Sequence, residues 1–202
     1  RVRSSAASDV YKRQVPSGLW LVKAIHGIDI REYGSKNIGS TNVFRTVGGK
    51  TAALVLLCDA GKGIIAVMIA QSMTGGDLYA MLFAAIGALL GHNYSLFLGF
   101  KGGRGVATGL GLLIFLMPKV SGICFIVWLA IVLATRYVSL GSCVGAFCAP
   151  CLAWYFGYPL PVFLFAAVAA AFVIIRHKDN IKRLLNGTES KIRQGHAEDL
   201  KK

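Results

Sequence analysis

Charge is scarce in this chain, and negative charge most of all. Only 15% of its 202 residues are charged, and nine Asp and Glu stand against 22 Lys and Arg, a formal net charge of +13. The apolar runs between Thr51 and Ile175 hold hardly a charge. Clusters of carboxylate or cysteine at ligand spacing are missing, so no metal and no cofactor is implied. A GxSxG elbow is also missing, as is any Ser/His/Asp set, which argues against a covalent nucleophile of the hydrolase kind. No internal repeat or low-complexity tract is present, and residues 1–14 carry no apolar core of a signal peptide.

What the chain has in quantity is apolar sequence: 55% hydrophobic residues and a mean hydropathy of +0.60. Six runs stand out, at 52–70, 78–91, 106–117, 120–134, 137–156 and 160–175. Several fall short of the roughly 20 residues a helix needs to cross ~30 Å of hydrocarbon, so their ends must borrow loop residues or stop short of the surface. Six such runs with too few polar faces to meet water exclude a soluble helical core and predict an all-α, polytopic integral membrane protein.

The basic residues set the expected topology. Sixteen of the 22 fall in four places: residues 23–50, the Lys101/Arg104 loop, Arg136, and the tail from Arg176 to Lys202. The alternating turns are nearly bare: 71–77 and 157–161 have no Lys or Arg, and 117–119 has one. The positive-inside rule then puts the four basic places on the cytoplasmic side. Nucleic acid is excluded as a partner, because the clusters flank apolar spans and lack interleaved aromatics. Anionic headgroups and phosphorylated substrates account for them. The polar, basic segment 1–14 abuts an apolar piece, 15–25, too short to span. It reads as foreign or disordered sequence in front of a truncated or replaced first helix, followed by one membrane domain over 15–193 and a polar tail over 194–202. Five cysteines, at 58, 124, 143, 148 and 151, all lie in apolar runs and read as packing residues, the CxxC of Cys148 and Cys151 included.

Three polar segments carry the chemistry. GFKGGRG, 99–105, joins a pliant glycine backbone to Lys101 and Arg104 just before an apolar helix start, a combination that suits an anion. GSKNIGSTNVFR, 34–45, is dense in hydroxyl and amide groups with two cations. RHKDNIKRLLNGTE, 176–189, is basic, and Lys182 and Arg183 in it read as part of a juxtamembrane basic helix that anchors to headgroups. Asp59 and Lys62, three apart, share a helix face and can pair, with a structural or a substrate-facing role left open; His92 and Asn93 stand at a helix end beside the glycine loop, where His92 suits phosphate binding or proton transfer.

In order and spacing across residues 15 to 193, GSKNIGSTNVFR, GHNYSLFLGFKGGRGVATGLG and RHKDNIKRLLNGTE resemble the three cytoplasmic motifs of the bacterial acyl-phosphate:glycerol-3-phosphate acyltransferases, the PlsY type. The resemblance implies a seven-helix enzyme of the inner membrane. It would move a fatty acyl group from acyl phosphate to the sn-1 hydroxyl of glycerol 3-phosphate, giving lysophosphatidic acid and inorganic phosphate, the first committed step of phospholipid synthesis. Carried over, it puts Ser35, Asn37, Asn42 and Arg45 on the glycerol phosphate, helped by His177 and Asn180. Gly102, Gly103 and Gly105 with Lys101 take the acyl phosphate, and Arg136, Ser139 and Ser142 close the site. The expected catalytic set is Ser35, Arg45, Lys101, Arg104, His177 and Asn180, with the others and His92 binding substrate. Arg104 stands where the family usually has a second lysine, which keeps the charge and adds bidentate binding. Acyl phosphate is already activated, so positioning and charge stabilisation suffice, and the proton acceptor is His92, His177 or a substrate phosphate. The His-x4-Asp pattern of the soluble-donor acyltransferases is absent, since Phe97 stands five residues after His92. A monomer acting in the bilayer is expected. The alternative is a transporter of a phosphorylated small anion, which would place its binding groups near the midplane in repeated halves; a scaffold would not need three phosphate-binding segments.

Overall fold

The computed structural model describes residues 16–95, 102–193 and 195. Every regular element among them is helical. A short helix α1 (Ser17–His26) and a 3-10 turn (Ile30–Glu32) lead into the amphipathic α2 (Ser40–Val47). Six apolar helices follow: α3 (Gly49–Thr74), α4 (Leu78–Asn93), α5 (Val106–Leu116), α6 (Pro118–Thr135), α7 (Val138–Tyr155) and α8 (Leu160–Arg176). The polar α9 (Lys178–Leu185) comes last, bent by 59° from α8.

Local chemistry marks the ends. Gly75, at φ 64°, closes α3 in the left-handed conformation. Asp77 caps α4 by accepting from the Ala80 N–H at 2.8 Å, and Pro118 occupies the first turn of α6. All six expected apolar runs are helices with ends within a few residues of the sequence reading. Three of them, α3, α6 and α7, are long and apolar enough to cross a membrane, or four if α8 and α9 form one bent span. The 11-residue α5, about 16 Å long, cannot reach across alone. Its reversal at Met117 is wholly buried.

The helices bury one apolar core around Leu89, Leu112, Val120 and Phe165, and a second around Val22, Ile30, Val43 and Val55 seats α1 and α2 on α3. Large apolar side chains such as Leu57, Ile65, Leu133 and Leu164 stay exposed on the outside, as a lipid-facing surface requires. Helices α3 and α5 meet closely: a Cβ on Gly63 would lie 2.7 Å from the Thr108 carbonyl oxygen, and one on Gly111 would strike the Ala60 carbonyl. Cys58 and Cys151 are exposed, Cys124 is buried, and no described cysteine is disulfide-bonded.

Two of the three polar segments contain helices, the first expected as a loop and the third as a juxtamembrane basic helix at Lys182 and Arg183. In α2 the inward face is Asn42, Val43, Thr46 and Val47, a helical period half made of polar residues, so hydropathy alone hides it. The tail segment folds as α9 because Lys178 through Leu185 contains no breaker before Asn186 and Gly187. Residues 1–14, expected to be foreign sequence, lie outside the described residues, as do 194 and 196–202 of the polar tail.

Candidate active site

The ends of the helices at one side of the bundle are tied together by side chains from distant segments. Glu189, 7% exposed, is the knot. Its Oε1 accepts from Asn180 Nδ2 at 2.6 Å and from Ser139 Oγ at 2.7 Å, and its Oε2 accepts from Arg183 Nε at 2.7 Å. Burial works to raise its pKa, but the bonds from Asn180, Ser139 and Arg183 outweigh it and hold the carboxyl below its ordinary value of 4.5. Arg183 is therefore an intramolecular partner, where the sequence suggested a lipid anchor. Beyond Glu189 the chain crosses back over the site: Ser190 O accepts from Arg45 Nη2 at 2.7 Å, the Ile192 N–H donates to Arg136 O at 2.7 Å, and the Gly195 N–H donates to Phe44 O at 3.1 Å.

The first segment is shaped from inside by Asn42, which is 2% exposed. Its amide nitrogen donates to the carbonyls of Ile30, Tyr33 and Asn37, and its Oδ1 accepts from the Ser35 N–H at 2.8 Å. Asn42, expected on the substrate, thus spends its side-chain amide on the loop that presents Ser35. Asn37 Oδ1 likewise accepts the Gly39 N–H at 2.8 Å ahead of α2.

The glycine segment departs from the expected phosphate cradle. The N–H groups of Gly102 and Gly103 donate to Asn93 O and His92 O, both at 3.1 Å, because the last carbonyls of α4 need donors. Only glycine fits there: a Cβ on Gly102 would strike the His92 carbonyl, and one on Gly103 the His92 ring. The carbonyls of both glycines accept from Arg176, which joins this segment to the third motif. Gly105, at φ 79°, turns the chain into α5. Lys101 lies outside the described residues.

These ties leave a polar cavity lined by Ser35, Asn37, Asn42 and Arg45 from the first segment, His92, Arg104 and Gly105 from the second, Ser139 and Ser142 from α7, and His177 and Glu189 from the third. A wider, more open polar cavity shares Ser35, Asn37, Arg45, Arg104 and Glu189 and adds Asn180 and Arg183. On its other side the polar cavity adjoins an apolar one between α5, α6, α7 and α8, with Leu56, Val106, Ala107, Trp128 and Ser142 lining both. Arg136 is exposed, caps α6 at φ 62°, and is not among the residues lining these three cavities; neither are Gly102 and Gly103.

The charge left uncompensated in the polar cavity is positive, because its carboxylates Asp59 and Glu189 are paired with Lys62 and Arg183. Burial pushes the guanidinium pKa values of Arg45 and Arg104 down, a desolvation cost that a bound anion offsets. The Arg45 Nε is buried without a hydrogen-bond partner, and the Arg104 guanidinium forms no hydrogen bond or ion pair among the described residues. His177, 2% exposed, approaches Val173 O through Nδ1 at 2.7 Å. A carbonyl only accepts, so Nδ1 carries the proton; burial pushes the imidazole pKa down to about 4, so at neutral pH the ring is uncharged and Nε2 keeps its lone pair. Asp59 pairs with Lys62 at 2.7 Å, as their spacing predicted, and lines the cavity 3.8 Å from His92 Nδ1. Sequence reasoning left Glu189 without a role, although it is the acidic end of the third motif, and it missed Arg176 and Trp128, for which spacing gave no signal.

Comparison with known proteins agrees with this architecture. The family model described as glycerol-3-phosphate acyltransferase matches residues 14–187. A glycerol-3-phosphate acyltransferase of Synechococcus sp. (strain JA-3-3Ab) is 45% identical over 91% of this chain and 90% of its own length. Glycerol-3-phosphate acyltransferase 2 of Moorella thermoacetica is 48% identical over 88% and 91%. Crystal structures of PlsY (YgiH), an integral membrane glycerol 3-phosphate acyltransferase, match in its glycerol 3-phosphate form with a TM-score of 0.85 at 38% identity, covering 96% of both chains. The lysophosphatidic acid form matches at 0.84 and 37%, covering 95% of both. Fold, motif order and relatives along nearly the whole length agree: the chain belongs to the glycerol-3-phosphate acyltransferase family of integral membrane proteins.

Proposed function

We propose that the chain transfers a fatty acyl group from acyl phosphate to the sn-1 hydroxyl of glycerol 3-phosphate, releasing lysophosphatidic acid and inorganic phosphate. The observation that carries this reading is the junction of an apolar cavity with a polar one in which Arg45 and Arg104 have no ion-pair partner among the described residues, since an acyl phosphate is an anion bonded to a hydrocarbon tail. Arg45 and Arg104 hold the two phosphate groups, with Lys101 adding charge from the glycine segment. Ser35, Asn37 and His177 take the glycerol side, and Asn180 acts mainly by fixing Glu189. Ser139 and Ser142 form the wall on α7; Gly102, Gly103 and Gly105 shape the acyl phosphate side by letting the chain pass close to His92 and Asn93.

The glycerol oxygen adds to the carbonyl carbon, the carbonyl re-forms, and the bond to phosphate breaks with its electron pair leaving on phosphate. The hydroxyl proton passes to Nε2 of His177 or to a phosphate oxygen. Positioning of two bound reactants and fixed positive charge supply the acceleration, without an acyl-enzyme. A monomer acting in the bilayer is part of this proposal. The clustering of the basic places at one end of the helices supports a cytoplasmic-facing site in the inner membrane.

Purified protein given acyl phosphate and labelled glycerol 3-phosphate is expected to form lysophosphatidic acid with one phosphate released per turnover. A requirement for a thioester donor, or no product, would contradict the reading.

A further inference from the structure

Trp128 lies in α6 with its indole held in place on two sides. Phe125 stacks on it, centroids 5.7 Å apart at 22°, and α7 approaches so closely that a Cβ on Gly141 would lie 3.1 Å from the indole Cδ1. Its Nε1 is buried and has no acceptor among the described residues. A buried donor without a partner pays the full loss of its hydration, so such a group calls for a ligand or a reason.

Its position supplies the reason. Five residues line both the polar and the apolar cavity, and three of them, Leu56, Val106 and Ala107, have no polar side-chain atom. The fourth, Ser142, donates its hydroxyl proton to Val138 O at 2.8 Å. Trp128 is the member of this group whose side-chain donor is uncommitted. In an acyl phosphate the carbonyl is the atom group between phosphate and tail. With phosphate among Arg45 and Arg104 and the tail in the apolar cavity, the carbonyl sits at this junction.

Resting on the function proposed above, we infer that the Trp128 N–H donates a hydrogen bond to the carbonyl oxygen of the acyl donor and stabilises the negative charge that gathers there as the glycerol oxygen adds. The π pair of the C=O moves onto this oxygen when the new C–O bond forms, and returns as the bond to phosphate breaks. The hydrogen bond is strongest at the tetrahedral stage, so it favours the transition state over the bound donor.

Trp128→Phe keeps a ring against Phe125 and Gly141 and removes only the donor. The expected result is a fall in kcat of about 100-fold to 1000-fold, the size seen when one such donor is removed, with the KM for acyl phosphate little changed and the melting temperature retained. A kcat within twofold of wild type in a folded variant, or a loss confined to KM, would overturn the inference. A second measurement covers a variant that fails to fold. With the exposed Trp20 and Trp154 changed to Phe, Trp128 gives the one indole N–H resonance of the 15N-labelled protein. A long-chain β-ketophosphonate, which keeps the carbonyl but cannot transfer it, should move that proton downfield, and an alkyl phosphonate without the carbonyl should not. Equal responses to both probes would overturn the assignment. Failure of the parent reading looks different: the wild type itself then makes no lysophosphatidic acid, and the assignment falls with it.

Discussion

At the residue scale the site sets two cations without ion-pair partners beside two carboxylates that have them, Asp59 with Lys62 and Glu189 with Arg183. Arg45 and Arg104 stand half-buried with hydrogen-bonding capacity to spare, while Glu189 is saturated by Asn180, Ser139 and Arg183. Arg45→Ala should abolish turnover while the protein stays folded, because the side chain reaches one carbonyl and, on the proposed function, is otherwise left for a substrate phosphate; near-normal rates would remove it from the site. Arg104→Lys should retain activity within about tenfold, since charge rather than a fork is what the family position supplies. Glu189 has a lowered pKa, so its contribution to stability is complete above the ordinary value of 4.5 and is lost as pH falls through the lowered one. The melting temperature of the wild type should therefore drop across that acidic window. Glu189→Gln should be less stable at neutral pH and lack that drop. Arg45 and His177 were legible as cavity residues because they stand in segments that resemble the family's motifs. The sequence could not show that Asn42 is turned inward, because an amide that serves carbonyls of Ile30, Tyr33 and Asn37 looks the same, in sequence, as one that awaits a ligand.

At the scale of elements, close approach of helices does what hydropathy cannot report. Gly63 and Gly111 let α3 and α5 touch along their backbones, which carries Arg104 and Gly105, at the start of α5, toward Asp59 on α3. Gly111→Ala should push these helices apart, lowering the melting temperature by several degrees and raising the KM for acyl phosphate; unchanged values would show that the contact is dispensable. The six apolar helices were readable from run length and bare turns. The amphipathic α2 was not, because it buries a face in which polar residues such as Asn42 and Thr46 replace the expected apolar ones. Helix α9 was readable as a basic helix, but it turns Asn180 and Arg183 to Glu189 where headgroups were expected. The wholly buried turn at Met117 was likewise hidden, since a two-helix hairpin that stops inside the protein reads in sequence like one that reaches water.

On the scale of the whole molecule, distant segments converge because the chain returns to the same end after each pair of apolar helices. Hydrogen bonds then join Arg45 to Ser190, Gly102 to Arg176, Ser139 to Glu189 and Arg136 to Ile192. The alternation of basic and bare turns already pointed to this grouping. What charge counting cannot give is the adjoining apolar cavity, which arises from small residues such as Gly145, Ala149 and Ala166 on neighbouring helices. The central claim, that three segments form one pocket for both reactants on one side of the bilayer, is tested most directly by sided labelling. Single cysteines at Thr41, Tyr94 and Ser190, in a protein freed of its five native ones, would meet a membrane-impermeant maleimide in vesicles of either orientation. The account predicts that all three react from the cytoplasmic face and that glycerol 3-phosphate slows all three, whereas one of them reacting only from the opposite face would contradict it.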